Sequence, residues 1–169
     1  RDGATTPVNG IASIGTANTS LLNTGNTISN NNVFNFYSAG SATTGILVTI
    51  NTNISNTGWT IANNRIFQTA TRNYTTTNTH RGIFVSAGNG YTVTGNVVGF
   101  AAANGTGTYT MTSTAVATAF AGIQLTPGPV ASSIQGNTVT AISLGTTTGA
   151  LTGISLTSGA ANIGTITPN

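Results

Sequence analysis

The chain contains no cysteine, no lysine and no glutamate, and only 3% of its 169 residues are charged. Without thiols, neither disulfides nor thiolate metal sites are available. Asp2 is the only acidic side chain and His80 the only imidazole, beside Arg1, Arg65, Arg72 and Arg81. Acid–base work on a glycosidic bond takes two carboxyl groups, and calcium takes several carboxylate oxygens. The expectation is therefore no enzyme, no metal and no cofactor. The sequence pI near 10 reflects missing acids rather than a basic surface, so nucleic acid, whose phosphates need neutralising, is not an expected partner. No apolar run approaches the roughly 18 residues of a membrane helix, and the first twenty residues lack the basic and then apolar regions of a signal peptide. A start at Arg1 reads as a mature or excised piece of a longer precursor.

What is present is equally lopsided: 36 Thr, 22 Gly, 21 Asn and 13 Ser make up more than half the chain. Ile, Val, Leu and Phe are interleaved among them in short alternating runs, a pattern that a disordered segment has no reason to keep. The segment from Asn23 to Phe34 (NTGNTISNNNVF) recurs 33 residues later as NTGWTIANNRIF, from Asn56 to Phe67. A repeat of this period marks units that cannot bury their own apolar faces and must stack on their neighbours.

Two kinds of strand alternate. The first reads apolar, x, Asn or Gly, Asn, x, apolar, beginning at Ile28, Ile61, Val93 and Ile134, with the fixed asparagines Asn31, Asn64, Asn96 and Asn137 spaced by 33, 32 and 41. The second begins Gly-Ile at Gly45, Gly82, Gly122 and Gly153, with Gly10-Ile11 as an earlier member. Period-2 runs of β-branched residues between Gly, Asn, Ser and Thr are strands, and no helix is predicted. Residues 69–80 and 101–119, rich in Thr, are expected as exposed loop insertions of a single domain spanning 1–169.

Asn or Gly accepts the positive φ that a turn from one strand to the next requires. In stacked coils the four asparagines would fall one above another about 4.7–4.9 Å apart and hydrogen-bond as a structural ladder. This combination of strands and Asn turns resembles the right-handed parallel β-helix superfamily, in particular the Thr/Asn-rich repeat regions of large surface proteins secreted by Bacteroidota-type bacteria. The resemblance covers Ile11 to about Ile166. It implies a single-stranded parallel β-solenoid of about five coils, and an extracellular or cell-surface location.

Candidate contacts are few. Arg65, Arg72, His80 and Arg81 could form a small cationic patch, and Tyr74 and Tyr109, placed in the two insertions, are the better sugar platforms. Trp59 and Tyr91 are expected to pack at a corner of the coil. The Thr-x-Thr triplets at Thr92 and Thr138 suggest an ice-binding array only weakly, since the other coils lack them. Acceptor patterns for N-glycosylation at Asn18, Asn53, Asn73 and Asn104 are frequent by chance in such a composition. The leading expectation is a structural module whose partners are copies of itself, stacked head to tail, or further repeats of a longer chain. The alternative is an adhesin that binds glycans through Tyr74, Tyr109, Arg72 and Arg81; ice binding ranks behind it.

Overall fold

The computed structural model describes residues 6–18, 20–49 and 56–169. Arg1, Asp2 and the acceptor pattern at Asn53 lie outside them. The described chain is an all-β parallel solenoid with no helix, winding through about four turns against the five expected. Every strand pair is parallel.

Four faces wrap the core, and a fifth, two-stranded sheet pairs Asn23–Thr24 with Asn56–Thr57 ahead of face two. Face one stacks Asn9–Ser13, Thr44–Val48, Thr79–Val85, Ala119–Leu125 and Leu151–Leu156, which are the Gly-Ile strands. Face two stacks Thr27–Ser29, Thr60–Ala62, Thr92–Thr94, Ser132–Gln135 and Ala161–Ile163. Face three stacks Asn32–Phe34, Arg65–Phe67, Val97–Gly99 and Thr138–Thr140. The Asn motif is therefore not one strand: its two apolar ends lie on faces two and three, and its asparagine stands at the corner between them.

The register keeps like above like. Ile28, Ile61, Val93, Ile134 and Ile163 form one inward column, and Val33, Ile66, Val98 and Val139 a second. Ile11, Ile46, Ile83, Ile123 and Ile154 make the third. Burying each such side chain contributes about 1.5–3 kcal/mol, so these columns are the main favourable term in folding. The Gly that opens each face-one strand is a matter of space. A Cβ on Gly82 would lie 2.5 Å from Val98 Cγ1 and 2.5 Å from the carbonyl oxygen of Gly122. The second column packs directly against that bare backbone.

Face four corrects the sequence reading. Arg72–Asn73, Tyr109–Thr112 and Ile142–Gly145 pair in register as a three-stranded sheet, so 69–80 and 101–119 are not simply exposed loops. Each insertion has exposed stretches, yet Tyr74, His80, Tyr109 and Met111 turn inward and are buried. Alternation of aliphatic residues does not reveal the strand Tyr109–Thr112, because it buries tyrosine and methionine instead. The Thr-x-Thr triplets also separate: Thr92 and Thr94 stand on face two, Thr138 and Thr140 on face three.

Candidate functional site

The corner between faces two and three carries the amide ladder, and here two jobs that the sequence assigns to one asparagine belong to neighbours. Positive φ falls on the preceding residue: 58° at Asn30, 56° at Asn63, 64° at Gly95 and 60° at Gly136. Asn and Gly occupy that place because they enter the left-handed region at least cost. The turn then aims the next side chain, that of the ladder asparagine, along the stack.

Each rung repeats one geometry. Asn31 donates from its backbone N–H and from Nδ2 to Asn64 Oδ1, both at 3.0 Å. Asn64 does the same to Asn96 Oδ1 at 3.0 and 3.0 Å, and Asn96 to Asn137 Oδ1 at 3.1 and 2.9 Å. The remaining amide hydrogen reaches back to the carbonyl of an earlier coil, Asn64 to Ile28 at 2.9 Å and Asn96 to Ile61 at 2.8 Å. Asn64, Asn96 and Asn137 are buried, and such groups are tolerated only when fully bonded.

The structure adds a fifth rung that the motif does not announce. Asn169 Oδ1 accepts from Asn137 N at 3.0 Å and from Asn137 Nδ2 at 2.8 Å, 32 residues along. The spacing matches the earlier rungs, but the surrounding pattern does not: Asn169 lies six residues after Ile163 rather than three.

A second polar cluster sits inside, between faces one and four. His80 is buried; its Nδ1 lies 2.8 Å from Thr43 Oγ1 and accepts the Thr43 backbone N–H at 3.2 Å. Accepting at Nδ1 leaves the proton of the neutral ring on Nε2, and that atom has no partner. The imidazole stacks on the Tyr74 ring with centroids 3.6 Å apart. Burial, with the Arg81 charge as a lesser cause, lowers the His80 pKa to about 4. The Tyr74 and Tyr109 hydroxyls are likewise buried and without a hydrogen-bond partner. Burial raises Tyr74 to about 12, although Thr43 lies near enough to oppose the shift, and it raises Tyr109 well above the usual phenol range. These rings remain neutral across the physiological range, and no carboxylate among the described residues orients the imidazole. The two tyrosines therefore cannot be surface platforms for sugars, a correction to the sequence reading.

The arginines do not converge either. Arg65 stands on face three, Arg72 on face four and Arg81 on face one. Arg72 donates from Nε to Gln68 Oε1 at 2.8 Å and from Nη2 to Asn35 Oδ1 at 2.6 Å, with its guanidinium 5.2 Å from the Tyr37 ring centroid. Arg81 donates to Gln124 Oε1 and to the Thr79 carbonyl, and lies 4.2 Å from the Phe84 ring centroid. Trp59 and Tyr91 are buried at the coil's edge; Trp59 Nε1 donates to the Asn23 carbonyl at 2.7 Å and the Tyr91 hydroxyl to that of Asn56 at 2.6 Å.

The two ends of the stack hold shallow hollows. At the first, a hollow is lined by Gly10, Ile11, Asn31, Val33, Phe34 and Arg72, among others. At the last, a hollow is lined by Val139, Thr140, Ala141, Ile142, Leu151 and Gly153. Val33 and Val139 are the first and last members of one column, Gly10 and Gly153 of the glycine row.

No protein-family model, curated protein or solved structure matches this chain.

Proposed function

We propose that this protein is a noncatalytic structural module, a segment of an extracellular fibre or cell-surface stalk whose coils stack end to end. One observation carries the reading: where apolar surface is exposed. Val8, Ile14, Leu21, Leu22 and Phe34 are the exposed large apolar side chains of the first coil, and Leu151, Leu156, Ile163 and Ile166 those of the last. Val130, which leads into the strand Ser132–Gln135 one coil before the last, is the remaining one, and among the described residues between Phe34 and Val130 there is none. Scattered apolar exposure is ordinary, but concentration at two opposite ends marks contact surfaces. The same ends present open edges of parallel strands, which are templates for a further strand.

The near absence of charge fits this assembly, since stacked coils bring like residues together with little repulsion. We read the winding as right-handed, because connections between parallel strands of one sheet almost always are. The Thr/Asn-rich composition we read as that of large secreted surface proteins of Bacteroidota-type bacteria. A glycan-binding adhesin has less support, because Tyr74 and Tyr109 are buried and Arg72 and Arg81 are engaged by their own neighbours.

Electron microscopy and sedimentation velocity of the purified chain test the reading. Rods many coils long, growing with concentration, are expected, since one module of five stacked strands is only about 20 Å tall at strand spacing. Dispersed single modules at every concentration would refute it.

A further inference from the structure

Resting on that reading, we propose that the amide ladder is a polarised joint: Asn169 of one copy donates into Asn31 Oδ1 of the next, so that copies join only head to tail and in a single register. The ladder has a direction. At each of its four junctions the earlier rung gives two hydrogens, N–H and Nδ2–H, and the later rung takes both on one oxygen. A ladder of this kind ends in unlike groups. At the first end, Asn31 Oδ1 accepts no hydrogen bond from any described residue, while its own donors are spent on Asn64 and on the Ser29 carbonyl. At the last end, Asn169 Nδ2 gives one hydrogen to the Ile134 carbonyl at 3.0 Å, and its second hydrogen and backbone N–H have no partner among the described residues. Two donors on one end meet one doubly accepting oxygen on the other.

Faces one and two match in the same sense, while faces three and four, whose last strands Thr138–Thr140 and Ile142–Gly145 lie one coil earlier, leave a layer unpaired at the joint. Bringing Asn169 onto Asn31 places Ala161–Ile163 against Thr27–Ser29 and Leu151–Leu156 against Asn9–Ser13, each pair belonging to one face. The exposed Ile163 then continues the column that begins at Ile28. Joining first end to first end would set acceptor against acceptor, and last end to last end donor against donor. Either would run the strands antiparallel across the joint. A head-to-tail contact is heterologous and propagates. One misplaced rung would be rejected, because a buried amide without its partner is penalised more than the bond itself contributes.

Asn169→Asp separates the joint from the fold. The carboxylate keeps an oxygen for Asn137 N and Nδ2; it removes both Nδ2 hydrogens, the one given to the Ile134 carbonyl and the outward one, and faces Asn31 Oδ1 with an acceptor. Sedimentation velocity on full-length wild type and Asn169→Asp, with far-ultraviolet circular dichroism to check the fold, is the experiment. The expected result is an association constant at least about 10-fold weaker for the variant, with an unchanged spectrum. Equal association of both proteins would overturn the ladder joint and leave end stacking standing. Wild type that stays a single module would overturn both.

Discussion

The corner ladder and the Tyr74–His80–Tyr109 pocket both bury polar side chains in one solenoid, and they solve the problem differently. At the corner, every buried amide finds its partner. In the pocket, three buried polar atoms find none. The difference is periodicity. The ladder repeats one residue at one height per coil, so each new coil brings the partner its predecessor needs. Face four sits where the coils differ in length, and unlike groups meet along it: Arg72 pairs with Met111 and Met111 with Leu144, while Tyr109 pairs with Ile142. Repetition satisfies polar groups without any further device in the sequence, and where it lapses, the rings are held by packing and by the Thr43 contacts to His80 Nδ1.

The largest expected effect breaks the satisfied side. Asn96→Ala would orphan the N–H and one amide hydrogen of Asn64 and the carbonyl of Ile61, and would leave the oxygen of Asn137 with only the backbone N–H of residue 96, all in a buried corner. Each lost partner leaves a desolvated group worth about 1–3 kcal/mol, so a total loss of about 3–5 kcal/mol is expected in urea unfolding. Asn31→Ala at the open end should cost only about 1 kcal/mol, because water replaces part of what is lost. Equal losses at the two positions would show that the ladder is not the source of the stability.

Next in size is the acid response of the pocket. His80 has a folded-state pKa of about 4, below the 6.5 of an unfolded histidine. Between these values the unfolded chain binds a proton that the folded chain refuses, so stability is complete above about pH 6.5 and declines as pH falls toward 4. The decline should be on the order of a few kcal/mol, measured as urea midpoints across that window, because every tenfold difference in proton affinity between the two states corresponds to about 1.4 kcal/mol. The ladder, having no titratable group, contributes nothing to this slope. His80→Phe should flatten it, and a slope that persists in that variant would place the proton elsewhere.

Much of this architecture is legible because it is periodic. The Gly-Ile strands, the fixed asparagines and the alternation of the two strand types are visible in one pass along the chain, and they define faces one to three. The corner is half legible: an Asn or Gly pair announces a turn, but which member bends and which one bonds depends on φ, and Asn30 and Asn31 look alike in a sequence. Face four is not legible. Tyr109–Thr112 buries Tyr and Met in place of β-branched residues, and the face-four strands follow segments of unequal length, so no register can be aligned. Tyr74 and Tyr109 consequently read as surface residues. Asn169 escapes notice because three extra residues separate it from the isoleucine that should announce it.

The smallest expected effect is also the sharpest test of the unsatisfied side. Tyr109→Phe removes a hydroxyl that is fully buried and has no hydrogen-bond partner, while keeping the ring that packs at 5.2 Å against Phe120. A buried hydroxyl without a bond carries a desolvation penalty and nothing to offset it. Removing it should therefore change stability by no more than about 1 kcal/mol, and in the stabilising direction. Tyr74→Phe should behave the same way, with its stack on His80 intact. The two changes would add if each hydroxyl is unpartnered on its own account, and a double-mutant cycle in urea reads that directly. A loss above about 1 kcal/mol in either single variant would mean that the hydroxyl is bonded after all, and the contrast with the ladder would disappear.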